Sequence, residues 1–480
     1  MIATDRRKWL ALALLSVVQF MVILDVAIVN VALPSIQVDL GFSQENLQWV
    51  ISAYALVFGG FLLLGGRSAD LLGRRRIFLG GLVVFTLASL FAGLAWSDTS
   101  LIAARVFQGL GAAIITPAAL SILSTTFAEG RERNIALGAW GAVGGFGAAA
   151  GVLLGGILTD ALSWEWIFFV NVPVGVLAIV LAPILLNESR DTSVKTFDVP
   201  GAVLVTAGLS SLVYSITQAG SDGWLAGRTV GFFLGSIALL AAFVGWELRH
   251  PEPLMRFGLL RTKTVTGANV AGFILGTAMF SMFLMLTLYM QQVLGYSAMK
   301  TGVAYLAVAG TAILWSAVAA QLVTRIGVKP VLVAGMTLLT AGLVTFTQVP
   351  VDGSYVSNLL PGFLLIGAGI GFSFVPITIA ALAGVQAAEA GLASGLINTS
   401  QQIGGALGIA ALSTIATTRT SDAVSTGSAV PTALVDGFTG AFLAGAIIAA
   451  IGIVASLALI RSDALEQTEI VPEPAFDLAA

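Results

Sequence analysis

Residues 10–31 read LALALLSVVQFMVILDVAIVNV, an apolar run broken by a single acid, Asp25. As an α-helix rising about 1.5 Å per residue, it is long enough to cross a hydrocarbon core of about 30 Å. Arg6, Arg7 and Lys8 precede it much as basic residues precede a secretory leader. The run is too long for a leader's apolar segment, contains a carboxylate and lacks a small-residue cleavage pattern. It reads as the first membrane-spanning helix.

Similar runs recur along the chain. Spans are expected at 10–31, 47–66, 77–96, 101–124, 135–157, 165–186, 199–218, 229–247, 266–290, 302–323, 328–347, 357–381, 394–416 and 437–460. Of the 480 residues 57% are apolar and 10% charged, with 55 glycines; the mean hydropathy is +0.97. A soluble domain carries about 25% charged residues, so this chain has too little polar surface for water. The glycines suit membrane helices, whose backbones approach through small residues. With no cysteine, disulfides, thiolate metal sites and cysteine nucleophiles are excluded. The one histidine, His250, lies in His-Pro-Glu-Pro and reads as a solvated connector residue. No cofactor, metal or nucleic-acid partner is expected. The lack of a sizeable soluble segment argues against a membrane enzyme or sensor.

An even number of spans puts both termini on one side, and the basic residues say which. One set of connectors holds Arg6, Arg7, Lys8, Arg67, Arg74, Arg75, Arg76, Arg131, Arg133, Arg190, Lys195, Arg249, Arg256, Arg261, Lys263, Arg325, Lys329 and Arg461. The opposite set holds only Arg228, Lys300 and Arg419. By the positive-inside rule the richer set is cytoplasmic.

The chain also repeats itself. Asp70-Leu-Leu-Gly73-Arg-Arg-Arg after span 2 is echoed by Thr324-Arg-Ile-Gly327-Val-Lys after span 10. Gly109-Leu-Gly111 and Pro117 in span 4 are echoed by Gly367-Ala-Gly369 and Pro376 in span 12. An all-α polytopic fold follows, with two six-helix bundles in parallel orientation and spans 7 and 8 inserted between them. The expected divisions are 1–190, 191–264 and 265–462, with a disordered cytoplasmic tail at 463–480. Two related halves around a midplane cavity is the architecture of alternating-access transporters.

Charges inside a bilayer are costly and point to function. Only Asp25 and Arg105 lie well inside a span. Asp25 is about 22 Å from the cytoplasmic end of span 1, and Arg105 about 6–7 Å from the outer end of span 4. Their depths match, so they pair if spans 1 and 4 are neighbours. A carboxylate whose cationic partner moves between two states binds a proton in one and releases it in the other, as proton antiport requires. The plainer reading is a static ion pair tying two helices.

Helical spacing places Arg105, Gln108, Ala112 and Thr116 on one stripe of span 4. Tyr54, Phe58 and Phe61 form an aromatic stripe on span 2, suited to a lipophilic substrate or to ordinary packing. Asn398, Gln401, Gln402 and Gly405 share a face of span 13, where amides meet a substrate or a neighbouring helix. Asn30 lies about 140° around the helix from Asp25, so the two are not expected to share a ligand. Gln291 and Gln292 read as interfacial. Gly147, Gly151 and Gly155 on span 5 predict a close helix–helix seam. The connector 417–436 reads as flexible.

Leu24-Asp25-Val-Ala-Ile-Val-Asn30-Val-Ala-Leu-Pro34 resembles the first-helix motif of the fourteen-helix drug:proton antiporters of the major facilitator superfamily. Gly66-Arg-Ser-Ala-Asp70-Leu-Leu-Gly73-Arg74-Arg75-Arg76 resembles that superfamily's signature between helices 2 and 3. Leu101-Ile-Ala-Ala-Arg105-Val-Phe-Gln108-Gly109 resembles its fourth-helix motif, and the span 5 glycines its antiporter motif. The likeness covers nearly the whole chain. It implies a proton-driven efflux pump for amphipathic drugs, dyes or antibiotics, working as a monomer in a bacterial cytoplasmic membrane. Asp25 would be the coupling or substrate carboxylate and Arg105 the residue assisting proton transfer. Asp70, Gly73, Arg74 and Arg75 would latch the cytoplasmic surface. Val152 stands where the antiporter motif usually has proline, and Leu71 where the signature usually has arginine. Spans 9 to 14 show no extra acid, so neutral or monocationic substrates are expected. The competing reading is an importer or facilitator of the same fold for a metabolite or peptide-like nutrient.

Overall fold

The computed structural model describes residues 2–127, 131–190, 198–251, 253–254, 258–383, 385 and 390–460. The expected tail at 463–480, with Lys195, Arg256 and Arg461, lies outside them. No strand occurs among the described residues. Among the described residues the fourteen long helices are α1 (Ile2–Leu40), α2 (Trp49–Leu72), α3 (Arg74–Gly93), α4 (Asp98–Thr126), α5 (Arg131–Ala161), α6 (Asn171–Leu185, after a turn at Trp166–Phe169), α7 (Val199–Asp222), α8 (Gly227–Glu247), α9 (Lys263–Leu288), α10 (Ala298–Ile326), α11 (Val328–Phe346), α12 (Leu360–Leu382), α13 (Ala390–Ser425) and α14 (Val430–Leu459). Each expected span overlies one of them.

The flexible connector is one expectation that fails. The connector 417–436 is almost entirely helical, because α13 runs on to Ser425 and α14 begins at Val430. The hydroxyls that made it look loop-like bond back along the helix: Thr417 Oγ1 donates to the Ser413 carbonyl at 2.6 Å, and Thr426 Oγ1 to that of Asp422 at 3.2 Å. Such back-bonding lets Ser and Thr remain helical.

Packing repeats with a period of eight helices. α1 lies against α5 and α6, α2 against α4, and α3 against α4 and α6; α9 lies against α13 and α14, α10 against α12, and α11 against α12 and α14. The halves join through α5 on α10 and through α2 on α13, two seams related by the same shift. The matched connectors share a backbone device. Gly73 has φ +110° and Gly327 φ +84°, each turning the chain into the next helix where a side chain would be strained.

α7 and α8 pair with each other, and α7 lies along the seam between α2 and α13. Gln48 Nε2 donates to Thr217 Oγ1 at 2.8 Å, and Thr414 Oγ1 to the Ile216 carbonyl at 3.1 Å, so α7 touches both halves within one turn. Asp198 caps α7, accepting from the Gly201 N–H at 2.9 Å and from Trp246 Nε1 at 2.6 Å. Burial pushes the Asp198 carboxyl up, but these donors and Glu247 outweigh it and hold the group below its ordinary range. The cap is therefore at full strength above the ordinary aspartate range, about 3.9, and fails as pH falls through the lowered value. His250 is not free in solvent as expected: it is half-buried and stacked on Trp246 at 5.7 Å.

The connector between α2 and α3 is pinned to helices of its own half. Arg74 Nη2 sits 2.9 Å from Asp70 Oδ1, and Ser121 Oγ donates to the same oxygen at 3.3 Å. The Arg75 N–H donates to Glu188 Oε1 at 3.1 Å, and Arg75 Nη1 to the Leu186 carbonyl at 3.2 Å. A side chain on Gly73 would meet the Glu188 carboxylate at 2.7 Å. Gly73→Val is therefore expected to cost about 1–3 kcal/mol from backbone conformation alone. A lowered unfolding temperature of the detergent-solubilised protein is the readout, and an unchanged one refutes it.

Candidate functional site

Five helices converge on Asp25. It sits on the inner face of α1 with 0% exposure, and Arg105 of α4 has 1%. Such groups are tolerated in an apolar interior only when paired and hydrogen-bonded. Arg105 Nη1 donates to Asp25 Oδ2 at 2.7 Å. Gln108 Nε2, one turn along α4, donates to Asp25 Oδ1 at 2.6 Å, and Asn171 Nδ2, at the start of α6, donates to the same oxygen at 2.7 Å. Three N–H donors on two oxygens is a donor set for the anion.

The cation is held as closely. Arg105 Nε donates to the Val50 carbonyl of α2 at 2.8 Å, and Nη1 also reaches Gln108 Oε1 at 2.7 Å. Its guanidinium lies 4.3 Å over the Tyr54 ring and 5.8 Å from Phe168, within cation–π range. Gln108 completes its bonding at Ser89 Oγ of α3, 2.9 Å away. A planar fork with several donors makes these contacts; a lysine ammonium would not.

The α5 glycines bring the backbone of α1 close around Asp25. An added Cβ at Gly147 would meet Ile23 at 3.1 Å, at Gly151 Ala27 at 2.7 Å, and at Gly155 the Ile28 carbonyl at 2.7 Å. The neighbouring face of α5, with Val152 and Gly156, meets Gly302 and Met299 of α10.

The remaining residues singled out in the sequence are dispersed. Tyr54 is buried beneath Arg105, with Phe58 buried beside it at 5.8 Å. Phe61 is half-buried against Leu64, Ala202 and Leu254, and Thr116 is half-buried on α4. On α13 Asn398 is exposed and bonds back to the Ser394 carbonyl at 2.9 Å. Gln401 packs on Gly272 of α9, and Gln402 lies beside Gly59 of α2. None of these amides has a hydrogen bond to the Asp25 cluster among the described residues. Asn30 bonds back to the Val26 carbonyl at 3.1 Å, away from Asp25.

Gln291 and Gln292, at the end of span 9, are half-buried and bonded to the other half. Gln291 Nε2 donates to the Val31 carbonyl at 2.8 Å and Gln292 Nε2 to Gln37 Oε1 at 3.0 Å. With Asp160, which accepts the Ala298 and Met299 N–H groups at 3.1 and 2.8 Å, they tie the halves together at the end away from the basic connectors. Asn171, Ser89 and Glu188 are contributors the sequence reading missed.

Removing one partner of a buried pair leaves an uncompensated charge, at a cost of about 3–5 kcal/mol. Arg105→Leu is therefore expected to destabilise sharply, and Asp25→Leu/Arg105→Leu to recover most of the loss, read as unfolding temperature in detergent. Strictly additive effects would contradict a coupled pair.

The sequence pattern of the Major Facilitator Superfamily matches residues 15–409. The puromycin resistance protein of Streptomyces alboniger is 39% identical over 97% of this chain and 94% of its own length. The cephamycin export protein of Amycolatopsis lactamdurans is 40% identical over 86% of this chain and 85% of its own. Among solved structures, a bacterial homolog of the human lysosomal transporter Spinster, inward-facing and unoccupied, superposes with a TM-score of 0.68 at 16% identity. That match covers 95% of this chain and 98% of the other. The eight-helix shift of the packing, the two inserted helices and these matches together place the chain in the major facilitator superfamily, in its fourteen-helix form.

Proposed function

We propose that the protein exports amphipathic drugs, dyes or antibiotics across the cytoplasmic membrane in exchange for protons, by alternating access. The observation that carries the proton part is the fully buried Asp25 with its Arg105, Gln108 and Asn171 donors. The export part is supported by relatives named for resistance and export. On this reading the basic connectors and both termini face the cytoplasm, as the distribution of Lys and Arg favours. The protein works as a monomer in the bilayer, divided at 1–190, 191–264 and 265–462.

The bonds that tie the halves together at Gln291, Gln292 and Asp160 then lie on the outer side, so the structure corresponds to an inward-facing state. In that state Asp25 is an anion that has given up its proton. Turning outward alters the contact with Arg105, and a proton from outside then neutralises the carboxyl. Substrate leaves to the outside in that outward-facing state; reversing the motion tightens the Arg105 contact again and releases the proton inward, readying the site for new substrate. Tyr54, Phe58, Phe61, Thr116, Asn398, Gln401 and Gln402 contribute substrate-facing surface as the halves move. Asp70, Gly73, Arg74 and Arg75 brace the cytoplasmic connector. The second half carries no acid in its membrane core, which fits neutral or monocationic substrates.

In proteoliposomes with an imposed pH gradient, Asp25→Asn is expected to abolish uphill dye accumulation while leaving dye to equilibrate downhill. Uphill transport at the wild-type rate in that variant would defeat the assignment. Wild-type uptake indifferent to collapse of the gradient would favour a facilitator.

A further inference from the structure

Asn171 differs from the other donors to Asp25. Arg105 has no acceptor atom, and Gln108 has both ends of its amide engaged: Oε1 by Arg105, and Nε2 by Asp25 and Ser89. Neither can turn without breaking a second bond. The Asn171 side chain, on a residue with 1% exposure, has one hydrogen bond, from Nδ2 to Asp25 Oδ1. Its carbonyl oxygen, Oδ1, is buried with no hydrogen-bond partner. The amide is placed with its N–H towards the carboxylate because the reverse would set two acceptors against each other.

We propose that Asn171 is a positioning residue that lets Asp25 take up and lose its proton without dismantling the cage. The proposal rests on the reading of Asp25 as the proton carrier. A proton that lands on Asp25 Oδ1 turns that oxygen into a donor, and it then needs an acceptor where Asn171 Nδ2 now lies. A half-turn of the Asn171 amide about its last side-chain bond supplies one: the Asp25 O–H donates to Asn171 Oδ1. Asp25 Oδ2 keeps Arg105, and the second lone pair of Oδ1 keeps Gln108. The half-turn breaks only the bond that the proton replaces, and it exchanges one unpartnered amide atom for the other. No other atoms are transferred. The proton comes from water and returns to water, and the net charge of the cluster changes by one. The titratable groups facing Asp25 are Arg105 and Tyr54; Gln108, Ser89 and Asn171 are the neutral ones.

Infrared difference spectra of the purified full-length protein in lipid, acid minus alkaline, test this. Protonation of Asp25 should give a carboxylic C=O band that Asp25→Asn removes. Removing the acceptor with Asn171→Leu should move that band to higher wavenumber, towards a carboxyl whose O–H is unbonded. Should Asn171→Leu fail to fold, Asn171→Val makes the same deletion with less volume. A band removed by Asp25→Asn but unmoved in the Asn171 variant overturns the amide switch and leaves Asp25 as the carrier. If no band responds to Asp25→Asn, the carrier reading falls, and the switch with it.

Discussion

The fold of the first half is organised around one electrostatic requirement: a carboxylate and a guanidinium withdrawn from water must satisfy each other and every spare donor. Five helices send something to this point. α1 gives Asp25, α4 Arg105 and Gln108, α2 the Val50 carbonyl and the Tyr54 ring, α3 Ser89 and α6 Asn171. A charge inside a bilayer costs several kcal/mol even on the lenient scales. The network offsets that cost only while all five helices are in place, so the order of the bundle and the state of the carboxyl are tied together.

The second half holds the same arrangement of helices without such a pair. The repeat aligns Gly109 with Gly367, so the position matching Arg105 is Phe363, four residues before the glycine in each case. Phe363 is wholly buried in a ring cluster, 5.5 Å from Tyr305, 5.7 Å from Phe346 and 6.0 Å from Tyr355. The same architectural place is thus filled by aromatic packing in one half and by an ion pair in the other. Well-packed apolar groups generally stabilise at least as much as a buried pair of similar volume. Retaining the costlier solution in one half only fits the proposed titrating role better than a static ion pair.

The helices, their number and the depth match of Asp25 with Arg105 were legible because the bilayer imposes a length and a charge rule on each span. The partners of the pair were not. Asn171 lies about six residues inside the expected start of span 6, close in depth to Arg105, so the arithmetic applied to charges would have found it if extended to amides. Val50 gives a backbone carbonyl, which no sequence pattern advertises. The bonds of Gln291 and Gln292 were not legible, because their partners lie 260 and 255 positions away on the opposing half. The hydroxyl-rich 417–436 segment misled for another reason: Ser and Thr mark loops in water, yet close their own bonds along a helix.

On the proposed reading, α5 lies between the chemistry and the motion. One face, Gly147, Gly151 and Gly155, packs on the α1 residues that bracket Asp25; the next face, Val152 and Gly156, packs on Gly302 and Met299 of the other half. At Gly151, Gly155, Gly156 and Gly302 backbone atoms of the facing helix come close, while Gly147 meets the side chains of Ile23 and Phe20. On the proposed alternating-access reading, a rocking of α10 against α5 meets backbone at most of these points and would be passed on towards α1. Packed interfaces of this kind switch between discrete arrangements rather than deform. A shift of well under 1 Å at Asp25 is enough to change a 2.7 Å contact, so the seam is tight where the proton-binding geometry needs it to be.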